Sequence, residues 1–139
     1  MKRVYLACSI RGGRSDQPIY AEIAEVIKQH AHLLSELFAD GALTHFGSKK
    51  PADNIYATDM DWLLSADAVV AEVTNPSLGV GYELARAEAA GIPVLALYRP
   101  APDRRLSAMI LGAPGIAVAE YSDVSEVAPK ITEFIGEQI

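Results

Sequence analysis

The chain of 139 residues is long enough for one folded domain, and half of its residues are hydrophobic, which is enough for a buried core. Its formal net charge of −6, without a basic stripe, argues against binding a nucleic-acid polymer through counterion release. A single cysteine, Cys8, excludes an internal disulfide. Neither a signal peptide nor a run of about 18 apolar residues is present. We therefore expect one domain over residues 1–139, in a cytoplasmic protein that does not contact a membrane.

Short apolar runs alternate with helical patterns along the chain. Five runs are typical of buried strands: Arg3–Ser9, His32–Phe38, Asp67–Val73, Pro93–Tyr98 and Ile116–Tyr121. Apolar residues recur at helical spacing in four segments: the one that follows Asp16, a plausible cap, and Tyr56–Ala66, Tyr82–Ala90 and Val124–Ile135. This alternation predicts an α/β fold, a single doubly wound, mainly parallel five-stranded sheet of Rossmann-like or flavodoxin-like type with helices on both faces. Ligands bind such sheets beyond the carboxyl ends of the strands.

The segment after the first strand has the composition of an anion-binding turn. It combines a hydroxyl, forked guanidinium donors and glycines that allow a tight backbone: Ser9, Arg11, Gly12, Gly13 and Arg14. The dinucleotide fingerprint G-x-G-x-x-G is absent. Glu36 nevertheless lies near the end of the second predicted strand, where a ribose-binding acid lies in nucleotide-cofactor folds, so that interpretation stays as a weaker alternative. A Gly-Gly turn between a strand and a helix also needs no function.

Glu83 lies beside two glycines in NPSLGVGYELARAEAAG, where a buried strand leads into a helix that is predicted to stop at Gly91. We expect Glu83 within about the first helical turn. There the helix dipole and free N–H groups favour the charged carboxylate, which would be available as a nucleophile. An acid that only complements the helix dipole at the surface is an equally good interpretation.

A second candidate carboxylate is Asp59. It precedes Trp62 by three residues and Leu63 by four, so it leans with the apolar face of its helix, whereas Asp61 points elsewhere. Asp59 is therefore the candidate general acid or base. A solvent-exposed acid at a helix start is the more ordinary explanation for either residue.

Other polar residues have a structural explanation as well as a functional one. The hydroxyl of Tyr5 could reach the strand ends, or Tyr5 could simply be a core tyrosine. For Ser77 and Ser107, capping a helix is the more ordinary role and binding a ligand is the second interpretation. Cys8 has the apolar neighbours of a packing residue. No metal site is expected, because too few ligands accompany the three histidines, His30, His32 and His45.

Several motifs, in order and with specific spacing, resemble one enzyme family. They are YLACSIRGGRSD near the start, DMDWL, AVVAEVTNPSLGVGYELARA, and YRP followed by LSAMILGA. Over the stretch that ends near Ala113, the chain resembles the Rcl-type 2'-deoxynucleoside 5'-monophosphate N-hydrolases of the nucleoside 2-deoxyribosyltransferase superfamily. The resemblance implies a homodimer that cleaves the N-glycosidic bond of a small deoxynucleotide, without a metal or organic cofactor.

The resemblance also implies roles for individual residues. Glu83 is the implied nucleophile, Asp59 assists proton transfer and Tyr5 positions the nucleophile. The implied substrate-binding residues are Ser9, Ile10, Arg11, Gly12 and Gly13 of the first loop, Ser77 with the amide of Gly79, Ser107 and Met109 with Ser107 supplied in trans by the partner subunit, and Ile23 as a wall of the base pocket. The family usually has glycine in place of Cys8 and a base-side histidine in place of Leu37. A deoxyribosyltransferase and a non-catalytic nucleotide-binding module on the same fold are the alternative functions.

Overall fold

The structure is a computed structural model and describes residues 1–9, 16–34 and 51–138. Its elements in chain order are β1 Arg3–Cys8, α1 Gln17–Lys28, β2 His32–Leu34, α2 Ala52–Ser65, β3 Ala68–Glu72, α3 Leu78–Ala89, β4 Val94–Tyr98, α4 Ala108–Leu111, β5 Ile116–Glu120 and α5 Val127–Gln138, the last preceded by a 3₁₀ turn at Val124–Glu126. Among these described helices, none is long and apolar enough to cross a membrane.

The described strands form one parallel sheet of five strands in the order β2-β1-β3-β4-β5. This confirms the predicted α/β fold and gives it the flavodoxin-like strand order. The order reverses between β1 and β3, which pair from Val4 opposite Ala68 to Cys8 opposite Glu72. Ligands of open parallel sheets bind at such a reversal, beyond the carboxyl ends of the strands.

The sheet is covered on both faces because successive strand residues point to opposite sides. Helices α1 and α5 cover one face, whose core includes Val4, Leu6 and Val70. Helices α2 and α3 cover the other face, whose core includes Tyr5 and Val69. All five residues of β3 are buried, as is typical of a central parallel strand. We refer below to the α1 side and the α3 side of the sheet.

Helix α3 starts earlier than the sequence pattern predicts and stops where it predicts. It begins at Leu78, not at Tyr82, because the Ser77 hydroxyl accepts a hydrogen bond from the Val80 N–H at 3.2 Å and caps the helix. It ends before Gly91, whose φ of 73° lies in the left-handed region that favours glycine. Because α3 begins earlier than predicted, each later residue of the helix lies further from the helix N-terminus than expected.

Other bounds also differ from the prediction, among them those of α2 and β2. Helix α2 begins at Ala52, not at Tyr56. Its first turn therefore includes the last residues of segment 39–54, in which the sequence shows no periodic pattern. The described part of β2 ends at Leu34, whereas the apolar run continues to Phe38. The remainder of both segments lies outside the described residues.

Candidate active site

A cavity of about 550 Å³ opens at the carboxyl ends of β1 and β3, on the α3 side. Three parts of the chain line it: the end of β1, the middle of α2, and the connection from β3 into α3. The lining residues are Cys8, Ser9, Ile55, Tyr56, Asp59, Met60, Pro76, Ser77, Leu78, Gly79, Val80, Tyr82 and Glu83. The cavity therefore lies where the strand order predicts a ligand site, and it brings together five residues that the sequence singled out.

At the floor of the cavity, Tyr5 and Glu83 form a hydrogen-bonded pair. Tyr5 is fully buried, and its hydroxyl donates to Oε2 of Glu83. Tyr5 comes from β1 and Glu83 from α3, so the sheet and its covering helix together hold the carboxylate. The bond from a rigid core tyrosine restricts the rotation of the carboxylate of Glu83, which lines the cavity.

Glu83 lies in the second turn of α3, and its pKa differs from the value that the helix dipole alone would give. Burial raises the pKa of Glu83 from 4.5 to about 7, the bond from Tyr5 lowers it, and the nearby charge of Asp59 raises it. Burial therefore opposes the ionised form that the helix start was expected to favour. The dipole acts mainly within the first turn, whereas loss of water around the carboxylate acts wherever it is buried.

Asp59 is the second carboxylate of the cavity. It lies on α2 and is half-buried, whereas Asp61 is exposed, as the helical spacing predicts. Asp59 is close enough to Glu83 to raise its pKa. Two acids therefore face one cavity, and their mutual repulsion favours a state in which one of them holds a proton.

Hydroxyl and amide donors line the cavity next to the carboxylates. Ser9, which is buried at the end of β1, and Ser77 both line it. Ser77 accepts the capping bond through its oxygen, so its own hydrogen is left for donation. Gly79 lies in the first turn of α3, where an N–H has no acceptor within the helix. The predicted partners Ile10, Arg11, Gly12 and Gly13 lie outside the described residues, as do Arg14, Glu36 and Leu37.

Three predicted substrate-binding residues do not line this cavity. Ser107 caps α4 by accepting from the Met109 N–H at 3.2 Å, and both residues line a neighbouring cavity of about 680 Å³ between α3 and α4. Ile23 is a residue of α1 and is fully buried between that helix and the sheet. The apolar periodicity of α1 directs Ile23 into the core, and its role as a wall of the base pocket stays a prediction. Ile55 of α2 is the isoleucine that lines the cavity among the described residues.

An aromatic rim at the cavity mouth was missed in the sequence. Tyr56 and Tyr82 line the cavity with their hydroxyl oxygens 3.1 Å apart, and Nη1 of Arg86 donates to each of them at 3.0 Å. A signal was present, because Tyr56 precedes Asp59 by three residues and Tyr82 adjoins Glu83.

A third acid, Glu72, is buried at the end of β3 but has a structural role. Its carboxylate accepts from the backbone N–H and the hydroxyl of Thr74, each at 2.7 Å, and from the hydroxyl of Tyr121. It points to the α1 side, away from the cavity, and its pKa is raised by burial. Because protein donors satisfy Glu72 whereas the Glu83 carboxylate lines the cavity, Glu83 is the better candidate for chemistry.

Among the described residues, neither the Cys8 thiol nor a cluster of metal-binding side chains suggests a chemistry other than that of the two carboxylates. Burial raises the pKa of the Cys8 thiol far above its ordinary value, which makes Cys8 a packing residue, as predicted. In the described ranges, no group of three or more His, Cys, Asp and Glu side chains is arranged to hold a metal ion.

The comparison with protein families matches residues 4–121 to the family model described as nucleoside 2-deoxyribosyltransferase. The chain belongs to the nucleoside 2-deoxyribosyltransferase family. Within this family it is 51% identical over 112 residues to the 5-hydroxymethyl-dUMP N-hydrolase of Rattus norvegicus, covering 79% of this chain and 69% of that protein. It is 40% identical over 141 residues to the 5-hydroxymethyl-dUMP N-hydrolase of Tetraodon nigroviridis, covering 98% of this chain and 99% of that protein.

A Trichoplax adhaerens protein provisionally named 2'-deoxynucleoside 5'-phosphate N-hydrolase 1 is 44% identical over 142 residues, covering 96% of this chain and 92% of that protein. Solved structures of the family fold agree. A CMP N-glycosidase of Clostridium botulinum superposes with a TM-score of 0.68 at 19% identity, covering 96% of this chain and 99% of its own. A 2-deoxyribosyltransferase of Bacillus psychrosaccharolyticus superposes with a TM-score of 0.65 at 21% identity, covering 91% and 90%. These two likenesses establish the fold alone.

Proposed function

We propose that this protein hydrolyses the N-glycosidic bond of 2'-deoxynucleoside 5'-monophosphates to the free base and 2-deoxyribose 5-phosphate. The observation that carries the proposal is the Tyr5–Glu83 pair, which faces Asp59 across one cavity at the β1–β3 reversal. Family membership and the names of the rat and Tetraodon relatives support the same reaction.

Glu83 is the proposed nucleophile. As the bond from the anomeric carbon to the base nitrogen breaks, positive charge develops on the sugar ring, and an ionised carboxylate beside it stabilises that charge. Glu83 then forms a bond to the anomeric carbon, and the base leaves with the electron pair of the broken bond. Water attacks the same carbon, releases Glu83 and completes the hydrolysis. The bond from Tyr5 holds the carboxylate in place for both steps.

Asp59 is the proposed acid that assists the departing base. A base leaves more readily when it gains a proton, and a positioned carboxylic acid supplies that proton. Asp59 lies on α2, across the cavity from the α3 residue Glu83. The reaction needs one proton on the pair, carried by Asp59, and the mutual repulsion of the two carboxylates favours a pair that holds a single proton. Asp59 then regains its proton from the water that attacks the intermediate.

Ser9, Ser77 and the Gly79 amide form the proposed phosphate end of the cavity, with Ile10, Arg11, Gly12 and Gly13 added from outside the described residues. Donors on a remote phosphate turn binding energy into correct placement of the reacting carbon. We therefore expect an unphosphorylated deoxynucleoside to lose rate as well as affinity.

A homodimer completes the proposed site, with Ser107 contributed in trans and Met109 beside it on α4. Three apolar side chains on α3 and α4 support it, because Leu78, Met109 and Leu111 are 96%, 81% and 62% exposed. Apolar side chains of this size at a surface are typical of a covered interface when they lie together. The cavity between α3 and α4 contains Ser77 and Ser107, so this surface adjoins the proposed phosphate end.

The test is incubation with dGMP, with and without free adenine, followed by chromatography of the products. A hydrolase releases guanine and 2-deoxyribose 5-phosphate in either case, whereas a deoxyribosyltransferase makes a new deoxynucleotide only when adenine is present. Absence of both products, with GMP still bound, would refute the enzyme and leave a nucleotide-binding module. Because the rat and Tetraodon relatives are named for 5-hydroxymethyl-dUMP, that nucleotide is assayed beside dGMP.

Selectivity gives a second readout of the proposal. The 2'-hydroxyl of GMP withdraws electrons from the developing cation, so GMP should react far more slowly than dGMP while still inhibiting. Deoxyguanosine should be poor because it lacks the phosphate. Comparable kcat/KM values for dGMP, GMP and deoxyguanosine would contradict this substrate class.

A further inference from the structure

A polar network on the α1 side of the strand ends joins three segments of the chain. Nη2 of Arg99, just after β4, donates to both carboxylate oxygens of Asp16 at 3.0 and 2.9 Å. Nδ2 of Asn75, in the connection from β3 to α3, donates to the same carboxylate at 2.7 Å. Asp16 precedes α1 and was expected to cap it, but its side chain makes no capping bond. Its carboxylate is instead the common acceptor for two other connections.

The network also holds the backbone of the β3–α3 connection. The backbone N–H of Arg99 donates to the hydroxyl of Thr74 at 3.0 Å, and the same hydroxyl donates to Glu72 at 2.7 Å. Asp16 and Thr74 are 6% and 3% exposed, so these bonds are shielded from water. Bonds of this kind are strong and directional because water does not compete for their donors and acceptors.

The connection that the network holds leads directly into the cavity. Asn75 is two residues before Ser77, which caps α3 and lines the cavity. The body of α3 is held differently, because Leu84 and Ala87 are fully buried in the core. Val73 and Val80 are buried on either side of this connection, but none of the residues between them places an apolar side chain in the core. Their position therefore depends on the polar contacts of Asn75 and Thr74.

We infer that Arg99 and Asp16 are positioning residues for the phosphate end of the cavity, because by holding Thr74 and Asn75 they determine where Ser77 lies. This inference rests on the proposed function, since it concerns recognition of the phosphate in the same site. Neither residue touches the reacting carbon. Glu83 is held from the other side of the sheet by Tyr5, so loosening the network should impair phosphate recognition and leave the nucleophile in place.

The test compares kcat/KM for dGMP with kcat/KM for deoxyguanosine in three variants. Asn75→Ala removes the bonds from Asn75 to Asp16 and to the Tyr20 hydroxyl and keeps the ion pair. Asn75→Asp sets a second carboxylate against Asp16. Arg99→Lys keeps the charge but loses the two nitrogens that hold Asp16 and the Tyr121 hydroxyl together. We expect the ratio of the two kcat/KM values to fall about threefold to tenfold for Asn75→Ala and Arg99→Lys, and further for Asn75→Asp. Inhibition by GMP should weaken by a similar factor, while inhibition by guanosine stays unchanged.

Thr132→Ala is the matched control, because it removes a side-chain hydrogen bond on α5 far from the strand ends and should leave the ratio unchanged. A merely structural role would lower activity on both substrates in proportion, and that result, or an unchanged ratio in folded variants, would overturn the inference alone. If Arg99→Lys does not fold, the two Asn75 variants carry the test. If the wild-type protein has similar kcat/KM values for dGMP and deoxyguanosine, that result would instead overturn the proposed phosphate site, and this inference with it.

Discussion

Replacing Glu83 by glutamine should abolish turnover and at the same time stabilise the fold at alkaline pH. The pKa of Glu83 is raised from 4.5 to about 7 in the folded protein, chiefly by burial. Folding therefore favours the protonated acid: its contribution to stability is complete below pH 4.5 and is lost as pH rises to about 7. Above that range the ionised carboxylate costs about 3 kcal/mol of folding free energy. A glutamine side chain in its place is neutral at every pH and still accepts the bond from Tyr5.

The assay is urea unfolding followed by circular dichroism at pH 4.5 and pH 8, beside a dGMP turnover assay. At pH 8 the Glu83→Gln variant should be more stable than wild type by up to about 3 kcal/mol, and at pH 4.5 the difference should vanish. Turnover should fall by several orders of magnitude, on the order expected for a lost nucleophile. Glu133→Gln, an exposed change on α5, is the control and should alter neither quantity. A Glu83→Gln variant that is no more stable at pH 8, or that keeps a tenth of wild-type turnover, would refute the reasoning.

The remaining predictions concern the neighbours of Glu83 and the partner subunit. Because the nucleophile must be ionised, kcat/KM for dGMP should rise as the pH increases through about 7. Tyr5→Phe should shift this rise to higher pH, since it removes a bond that lowers the pKa of Glu83. Asp59→Asn should shift the rise to lower pH, since it removes a charge that raises that pKa. If the rise in kcat/KM occurs at the same pH in both variants, Glu83 is not the group whose titration causes it. Asp59→Asn should also reduce kcat/KM about 10²- to 10⁴-fold at the optimum, and wild-type activity in that variant would make Asp59 an ordinary surface acid. Ser107→Ala should cost about 10- to 150-fold in kcat/KM, the value of a hydrogen bond to a charged phosphate. Re-pairing equal amounts of Glu83→Gln and Ser107→Ala chains should restore about a quarter of the sites. If subunit exchange is verified and activity does not exceed that of the parent variants, the site is not shared between subunits.

The amino-acid sequence alone determined the fold class and most of the candidate site. The five apolar runs between helical patterns predicted the parallel sheet, because buried strands and amphipathic helices have different periods. The carboxyl ends of parallel strands meet at one edge, so residues far apart in the chain, such as Ser9 and Ser77, could be expected together. The spacing to Trp62 and Leu63 separated Asp59 from Asp61, because that choice depends only on helix geometry.

Only the tertiary structure decided what depends on packing between distant segments. Ile23 had the periodicity of an apolar helix face, but the side of the sheet on which α1 packs placed it in the core, and Ile55 lines the cavity. The helix dipole predicted an ionised Glu83, whereas in the folded chain burial raises its pKa and the bond from Tyr5 lowers it. Asp16 had the position of a cap, but its carboxylate binds Arg99, 83 residues away in the chain. Local patterns report what one segment prefers, and desolvation and long-range ion pairs arise only when the segments meet.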